Sequence, residues 1–171
     1  MEEHAGIITM NGNPLTLVGK QPMVGEPAPD FEVMDNDLSP VRLSSFRGKV
    51  CVIASVPSLD TPVCDMETRR FNKEAVMLGS DVAILTVSMD LPFAQKRWCG
   101  TAGVDKVTTL SDHLRASFGE AYGVLIKELR LLARAVFVVD KEGAVHYVQL
   151  VKEIADEPDY NEVLGVLKKL L

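Results

Sequence analysis

The segment VCVIASVPSLDTPVC (residues 50–64) carries the strongest fold signal in this chain. Positions 50–56 are apolar without alternation and rich in β-branched residues, as in a strand that is buried on both faces. Pro57 ends that strand, because proline cannot donate to a sheet. Thr61 suits a helix N-cap, and Pro62 suits the first helical position, where a missing N–H costs nothing. The segment therefore predicts a buried strand, a short loop and the start of a helix.

Strands and helices alternate around this segment. The predicted elements are an N-terminal hairpin (7–10 and 15–18, with an Asn11-Gly12 turn), a strand pair (31–34 and 41–43), a helix over 63–78, a strand over 81–88, a short helix over 93–99, a strand over 107–110, a helix over 113–122, a hairpin (135–139 and 144–149) and a helix over 160–171. This order predicts an α/β fold with a central mixed β-sheet, flanked by helices and preceded by a β-hairpin. The thioredoxin-like fold is the best-known small fold with this order.

The composition is that of a globular protein with an acidic surface. Of 171 residues, 47% are hydrophobic and 25% charged, and the formal net charge is −6. An acidic surface argues against a nucleic-acid or anionic-membrane partner, and no apolar run is long enough to span a membrane. We expect a single domain over residues 1–171, since the sequence contains neither an internal repeat nor a Gly/Ser linker.

Cysteine usage indicates a reducing compartment. Three cysteines in a chain of this length are not a disulfide scaffold, and the odd number leaves at least one thiol free. The acidic N-terminus has no apolar region typical of a secretory signal. We therefore expect a cytoplasmic protein in which any disulfide is catalytic or sensing rather than structural.

Cys64 falls at the third position of the predicted helix, where Glu or Gln often completes a capping box. Free N–H groups and the positive end of the helix dipole favour a thiolate there, and the Thr61 hydroxyl lies within plausible reach of the sulfur. The alternative is a small apolar residue in the first turn, because free cysteines are often buried and inert. Asp60 disfavours a thiolate, so it must point away or be outweighed by a cation.

Arg134 is the candidate cation. It stands at the head of the apolar run 135–139, where a guanidinium is costly unless it is paired. Two alternatives compete with an interaction between Arg134 and the Cys64 sulfur. The side chain could instead reach the surface, or it could pair with an acid such as Glu67.

The pattern Pro57-x-x-x-Thr61-x-x-Cys64 matches the active-site motif of the peroxiredoxins. The longer pattern resembles the thiol peroxidase subfamily, the atypical two-cysteine peroxiredoxins. This resemblance covers nearly the whole chain, and its other supporting segments are DLPFAQKRWCG (90–100), AYGV (121–124), ARAV (133–136) and EPDY (157–160). A lone TxxC would be a weak signal, but the combination is specific.

The resemblance implies that Cys64 is the peroxidatic cysteine, which becomes a sulfenic acid, and that Cys99 is the resolving cysteine of an intramolecular disulfide. It further implies that Thr61 hydrogen-bonds the sulfur and the peroxide, that Arg134 holds the thiolate, and that Pro57 shields the pocket from water. The implied substrates are hydrogen peroxide and organic (alkyl or lipid) hydroperoxides. Thioredoxin is the implied reductant and a homodimer the implied assembly, with no cofactor and no metal.

Two further expectations concern the cysteines. Cys51 has no role in the family pattern and is expected to be an inert core thiol. Cys64 and Cys99 fall in separate predicted helices, and a disulfide needs Cα atoms within about 7 Å, so we expect both segments to unwind locally when the disulfide forms. Trp98, the only tryptophan, adjoins Cys99 and is expected to report the redox state in its fluorescence.

Other classes of protein compete with this interpretation. A redox sensor would use the same disulfide to change a partner surface and would not need fast turnover. A cysteine hydrolase would need a histidine base near its nucleophile, but His4, His113 and His146 lie in no recognisable motif. Metal binding is poorly supported without CxxC or HxxxH spacing, and no GxGxxG or P-loop segment suggests a nucleotide.

Overall fold

Seven strands form a central mixed sheet in the computed structural model, which describes all 171 residues. From edge to edge the sheet runs β11 (Val145–Leu150), β10 (Ala135–Val139), β5 (Val50–Ser55), β6 (Val82–Ser88), β7 (Thr108–Ser111), β3 (Glu32–Met34) and β4 (Pro40–Arg42). The β5–β6 and β6–β7 pairs are parallel, and the remaining pairs are antiparallel. The predicted α/β fold with a central mixed sheet is confirmed.

A second sheet carries the N-terminal hairpin. Its strands are, in spatial order, β1 (Glu3–Met10), β2 (Asn13–Val18), β8 (Leu125–Ile126) and β9 (Leu131–Leu132). Asn11 and Gly12 make the turn with φ values of 51° and 82°, the left-handed values that favour this residue pair. The predicted hairpin is confirmed, whereas β8 and β9 were not predicted because strands of 2 residues leave no alternation to detect.

The helices are α1 (Pro62–Leu78), α2 (Pro92–Ala102), α3 (Ser117–Ala121) and α4 (Tyr160–Leu170), and a 3₁₀ turn spans Leu43–Phe46. The prediction of a helix over 113–122 was wrong for the first half of that range, which is not helical. Ala116 adopts a left-handed φ of 53°, which a helix interior does not allow. The Asp112 carboxylate instead accepts the N–H groups of Phe118 and Gly119 at 3.0 and 2.8 Å, so an acidic side chain caps a shorter helix. None of these helices has the length and apolarity that crossing a bilayer requires.

Strand β5 is buried along its whole length and divides the core into two layers. Cys51 and Ile53 face the layer that contains the packed rings of Phe31, Phe118, Tyr122 and Phe137. The alternate residues Val50, Val52 and Ala54 face the other layer, which α1 and α4 cover with Phe71, Val163 and Leu167. The prediction of a strand buried on both faces is confirmed, and this rigid strand leads directly into the loop before Cys64.

Candidate active site

Cys64 lies in the first turn of α1, where the chain has just left the central sheet. Thr61 is the N-cap, and its Oγ1 accepts a hydrogen bond from the Cys64 N–H at 3.3 Å. Pro62 occupies the first turn, and the Cys64 side chain is fully buried. The predicted N-cap is therefore confirmed, and the thiol sits at the positive end of a helix of 17 residues.

The Thr61 hydroxyl makes different contacts from those the sequence suggested. It donates its hydrogen to the Ser58 carbonyl at 3.1 Å while it accepts the Cys64 N–H. In this state the hydroxyl fixes the loop rather than contacting the sulfur. It must turn its hydrogen away from Ser58 before it can donate to a bound molecule.

Arg134 lies just before β10 and is 2% exposed. Its Nη1 contacts the Cys64 sulfur at 3.4 Å and Glu67 Oε1 at 3.2 Å. Its Nε and Nη2 donate to the Ile154 carbonyl at 3.0 and 2.8 Å. The alternative in which this side chain reaches the surface is thus wrong, because the guanidinium is held inside by the Cys64 sulfur, the Glu67 carboxyl group and the Ile154 carbonyl.

Glu67 completes a buried triad with the cysteine and the arginine. Only one of its carboxylate oxygens has a hydrogen-bond partner, and Oε2 has none. Burial raises the pKa of Glu67 to about 7, although the Arg134 charge acts in the opposite direction. Burial alone would lower the pKa of Arg134, but Cys64 and Glu67 outweigh it and raise that pKa. Sequence reasoning named Glu67 only as a competing partner, because nothing local shows that one cation serves both groups.

A pocket of about 250 Å³ opens beside this triad. Its lining comes from the hairpin tip, the loop before α1 and the segment after β11: Met10, Asn11, Pro57, Thr61, Pro62, Val63, Arg134, Ile154 and Ala155. Most of these side chains are apolar, and Pro57 is buried at the pocket wall. The structure therefore brings Pro57, Thr61 and Arg134 together around Cys64.

Glu153 joins the hairpin tip to the segment that holds Arg134. Its Oε1 accepts the Thr9 hydroxyl at 3.0 Å and the Gly12 N–H at 2.9 Å, and its Oε2 accepts the Ala155 N–H at 3.0 Å. The Gly12 N–H is the largest of the contacts that lower the pKa of Glu153 to about 2. The adjacent Ile154 carbonyl is the one that receives Arg134. The N-terminal hairpin thus supports the site, which its sequence did not indicate.

Asp90 fixes the loop on the other side of Cys64. Its Oδ1 accepts the Ser58 hydroxyl at 2.7 Å, and its Oδ2 accepts the Leu59 N–H at 2.9 Å and the Ser88 hydroxyl at 2.7 Å. Asp60, which would disfavour a thiolate, is exposed. The sequence did not indicate this contact, because Asp90 lies 32 positions from Ser58 along the chain.

Cys99 lies in α2 and is half-buried, with its sulfur 3.3 Å from the Thr109 Oγ1 on β7. Both Cys64 and Cys99 are free thiols in this structure. Trp98 turns the other way, and its Nε1 donates to Asp65 Oδ1 at 2.9 Å. Cys99 is therefore not among the groups that contact Cys64 in the reduced protein.

The remaining thiol and the histidines lie elsewhere. Burial raises the pKa of Cys51 to about 11, which agrees with an inert core thiol. The ring nitrogens of His4, His113 and His146 contact Glu2, Ser111 and Asp140, respectively. The base that a cysteine hydrolase requires is thus not placed at Cys64. No group of three or more His, Cys, Asp or Glu side chains is arranged to hold a metal ion.

The chain is similar to known proteins in both sequence and fold. The Redoxin family profile matches residues 23–164. Thiol peroxidases from Oceanobacillus iheyensis and Bacillus subtilis are 56% and 55% identical to the chain, over 95% and 96% of its length and 98% of their own. The structure of a peroxiredoxin-like protein from Aquifex aeolicus matches with a TM-score of 0.89 at 46% identity, covering 98% of this chain and 99% of that one.

A thiol peroxidase from Chromobacterium violaceum shares the fold, with a TM-score of 0.85 at 22% identity over 99% of this chain and 98% of that one. The predicted thioredoxin-like fold is thereby confirmed. The chain is more than 50% identical to thiol peroxidases over nearly its whole length and nearly theirs. It therefore belongs to the thiol peroxidases of the Redoxin family and is a thiol-dependent peroxidase.

Proposed function

We propose that this peroxidase works through Cys64 as the peroxidatic cysteine and Cys99 as the resolving cysteine, with Thr61, Arg134 and Pro57 forming the peroxide site. The observation that supports this most directly is the 3.4 Å contact between the Cys64 sulfur and a buried guanidinium. That contact lies beside an open, mostly apolar pocket. A thiolate is the reactive form of cysteine, and a fixed adjacent cation stabilises it.

In the first step, the Cys64 thiolate attacks the terminal oxygen of ROOH. The S–O bond forms as the O–O bond breaks, and RO⁻ leaves and takes up a proton to become ROH. The sulfur loses two electrons and becomes a sulfenic acid. Arg134 faces both the sulfur and the pocket, so it balances negative charge as that charge moves from sulfur to oxygen.

Ionisation of the thiol is too small an effect to account for efficient peroxide reduction. An ordinary thiol with a pKa of about 8.5 is roughly 3% ionised at pH 7, so complete ionisation gains only about 30-fold. The larger contribution must come from holding ROOH in line with the sulfur and stabilising both oxygens. Thr61 can serve the oxygens once its hydrogen leaves the Ser58 carbonyl.

In the second step, the Cys99 thiolate attacks the Cys64 sulfenic sulfur. The S–S bond forms as the S–O bond breaks, and hydroxide leaves and takes up a proton to become water. Cys64 is buried and Cys99 rests on Thr109, so both must leave their present positions. We expect the first turn of α1 and the part of α2 around Cys99 to unwind in the oxidised protein. Amide hydrogen exchange should therefore be faster in both segments after oxidation, and equal protection in both redox states would contradict this.

Trp98 supplies an optical signal for the same change. Its indole packs beside Cys64 and donates to the Asp65 carboxylate in the reduced protein. Unwinding around Cys99 moves the indole into water, so we expect a shifted emission spectrum on oxidation that returns with dithiothreitol. An emission spectrum that is identical in the fully oxidised protein would show that this side chain stays in place.

A dithiol reductant must restore both cysteines by exchange, and we propose thioredoxin. The apolar pocket lining supports organic hydroperoxides as substrates besides hydrogen peroxide. We further propose a homodimer of single-domain chains, following the resemblance of the sequence. A cytoplasmic setting stays a prediction from the cysteine usage.

The experiment that tests this proposal is peptide mass spectrometry after one equivalent of cumene hydroperoxide is added to the reduced protein. Loss of about 2 Da, mapped to a Cys64–Cys99 link, is the expected result. Cys51→Ser serves as the matched control and should behave like the wild type. A stable gain of about 16 Da at Cys64 would remove Cys99 from the resolving role, and no change at Cys64 would overturn the proposal.

A further inference from the structure

The residues next to the two reactive cysteines are bonded to each other. Asp65 follows Cys64 in the chain and Trp98 precedes Cys99, and the Trp98 Nε1 donates to Asp65 Oδ1 at 2.9 Å. We propose that this hydrogen bond is a latch that makes the two cysteine segments unwind together, so that Asp65 and Trp98 set the rate of disulfide formation. This inference rests on the proposed function and concerns the regulation of the same site.

Arg69 strengthens the latch from the exposed side. Its Nε donates to Asp65 Oδ2 at 2.8 Å, one helical turn along α1. Its Nη1 donates to the carbonyl of Ala102, the last residue of α2, at 3.2 Å. The guanidinium also lies 5.9 Å from the Trp98 ring centroid. The two helices are therefore tied together on both sides of Cys99.

Packing couples the same two segments. The Trp98 indole rests against a small apolar cluster of Val56, Leu59 and Cys64. If Trp98 moves away, this cluster loses the side chain that packs against it near the buried thiol. If the first turn of α1 unwinds, Trp98 loses both its packing surface and its only hydrogen-bond acceptor, because an indole N–H is a donor only. Displacement of Trp98 and unwinding of α1 thus each lower the free-energy cost of the other.

The latch has a chemical consequence for the sulfenic acid on Cys64. That group has two possible fates. It condenses with Cys99, or it reacts with a second ROOH, which oxidises the sulfur by two further electrons and gives sulfinic acid and ROH. Condensation requires unwinding, whereas the second oxidation takes place in the folded site. A tighter latch therefore shifts the outcome towards sulfinic acid, and a looser one towards the disulfide.

Trp98→Phe is the most informative variant, because it removes the N–H donor and keeps an aromatic ring. Asp65→Ala removes the acceptor, and Asp65→Asn keeps an acceptor oxygen while it removes the charge. Glu74→Gln is the matched control, since it breaks the Arg70–Glu74 ion pair on the same helix. The readout is the peroxide dose that converts half of Cys64 to sulfinic acid, measured by mass spectrometry and hence independent of tryptophan fluorescence.

We expect this dose to rise about tenfold in Trp98→Phe and in Asp65→Ala, which corresponds to about 1.4 kcal/mol. The double variant should match Asp65→Ala, because the Trp98 donor has already lost its acceptor once Asp65 is replaced. Asp65→Asn should fall between the wild type and Asp65→Ala, because it keeps an acceptor for Trp98 but loses the ion pair with Arg69. Glu74→Gln should stay near the wild type, and the rate of the first oxidation should change less than twofold in Trp98→Phe. An unchanged dose in Trp98→Phe, or fully additive effects in the double variant, would overturn the latch.

Hydrogen exchange in the reduced protein tests the coupling without any peroxide chemistry. Trp98→Phe should accelerate exchange in the first turn of α1 as well as in α2, whereas Glu74→Gln should not. Faster exchange in α2 alone would contradict the latch. If the wild type formed no Cys64–Cys99 disulfide, the resolving role of Cys99 would fail, yet this measurement would still show whether the two segments open together.

Discussion

Replacing Arg134 with methionine is expected to lower the rate constant for oxidation of Cys64 by about 10²–10³-fold, as loss of one fixed charge donor does in other active sites. The guanidinium contacts the sulfur directly and also borders the pocket. Methionine fills a similar space but offers neither charge nor hydrogen bond. Single-turnover oxidation at a fixed hydroperoxide concentration, followed by quenching and mass spectrometry, measures the effect.

A control must separate this chemistry from damage to the fold. Arg134→Met leaves the Glu67 carboxyl buried without its partner, and breaking a buried pair costs about 3–5 kcal/mol. The double variant Arg134→Met, Glu67→Met removes both groups, so we expect it to recover most of the unfolding free energy but none of the oxidation rate. Recovery of the rate in the double variant would show that Arg134 acts only through stability.

The unfolding free energy is expected to fall as the pH rises from about 4.5 to about 7 because of Glu67. Burial raises its pKa from 4.5 to about 7 in the folded protein, so the folded state binds this proton more tightly than the unfolded state does. The stabilisation is fully present below pH 4.5 and is lost as the pH rises through about 7. A shift of this size corresponds to about 3 kcal/mol.

Glu67→Gln isolates this effect, because its amide oxygen still accepts from Arg134 but does not titrate. Urea unfolding of both proteins with a reductant, at several pH values, should show the variant gaining stability relative to the wild type as the pH rises from 5 to 8. A difference that stays constant with pH would mean that the carboxylate remains ionised beside Arg134 throughout.

Local sequence signals were enough to predict the strand and the helix next to Cys64. The apolar run 50–56 and the Thr61-Pro62 helix start depend on backbone and burial preferences within a few residues, and the structure follows both. Local signals failed for the segment before α3, where the Asp112 carboxylate accepts hydrogen bonds from the N–H groups of the next helix. A periodicity that ignores such side-chain contacts predicts a longer helix.

Sequence alone therefore defined the buried strand, the capped helix and the thiol at its N-terminus, because each depends on neighbours along the chain. It left open whether Arg134 reaches the surface, pairs with Glu67 or holds the sulfur. Arg134 lies 70 positions from Cys64, and only the antiparallel pairing of β10 with β5 brings it there. The contact between Trp98 and Asp65 likewise joins two separate helices. Such contacts belong to the tertiary structure, since they exist only after the sheet has set the helices side by side.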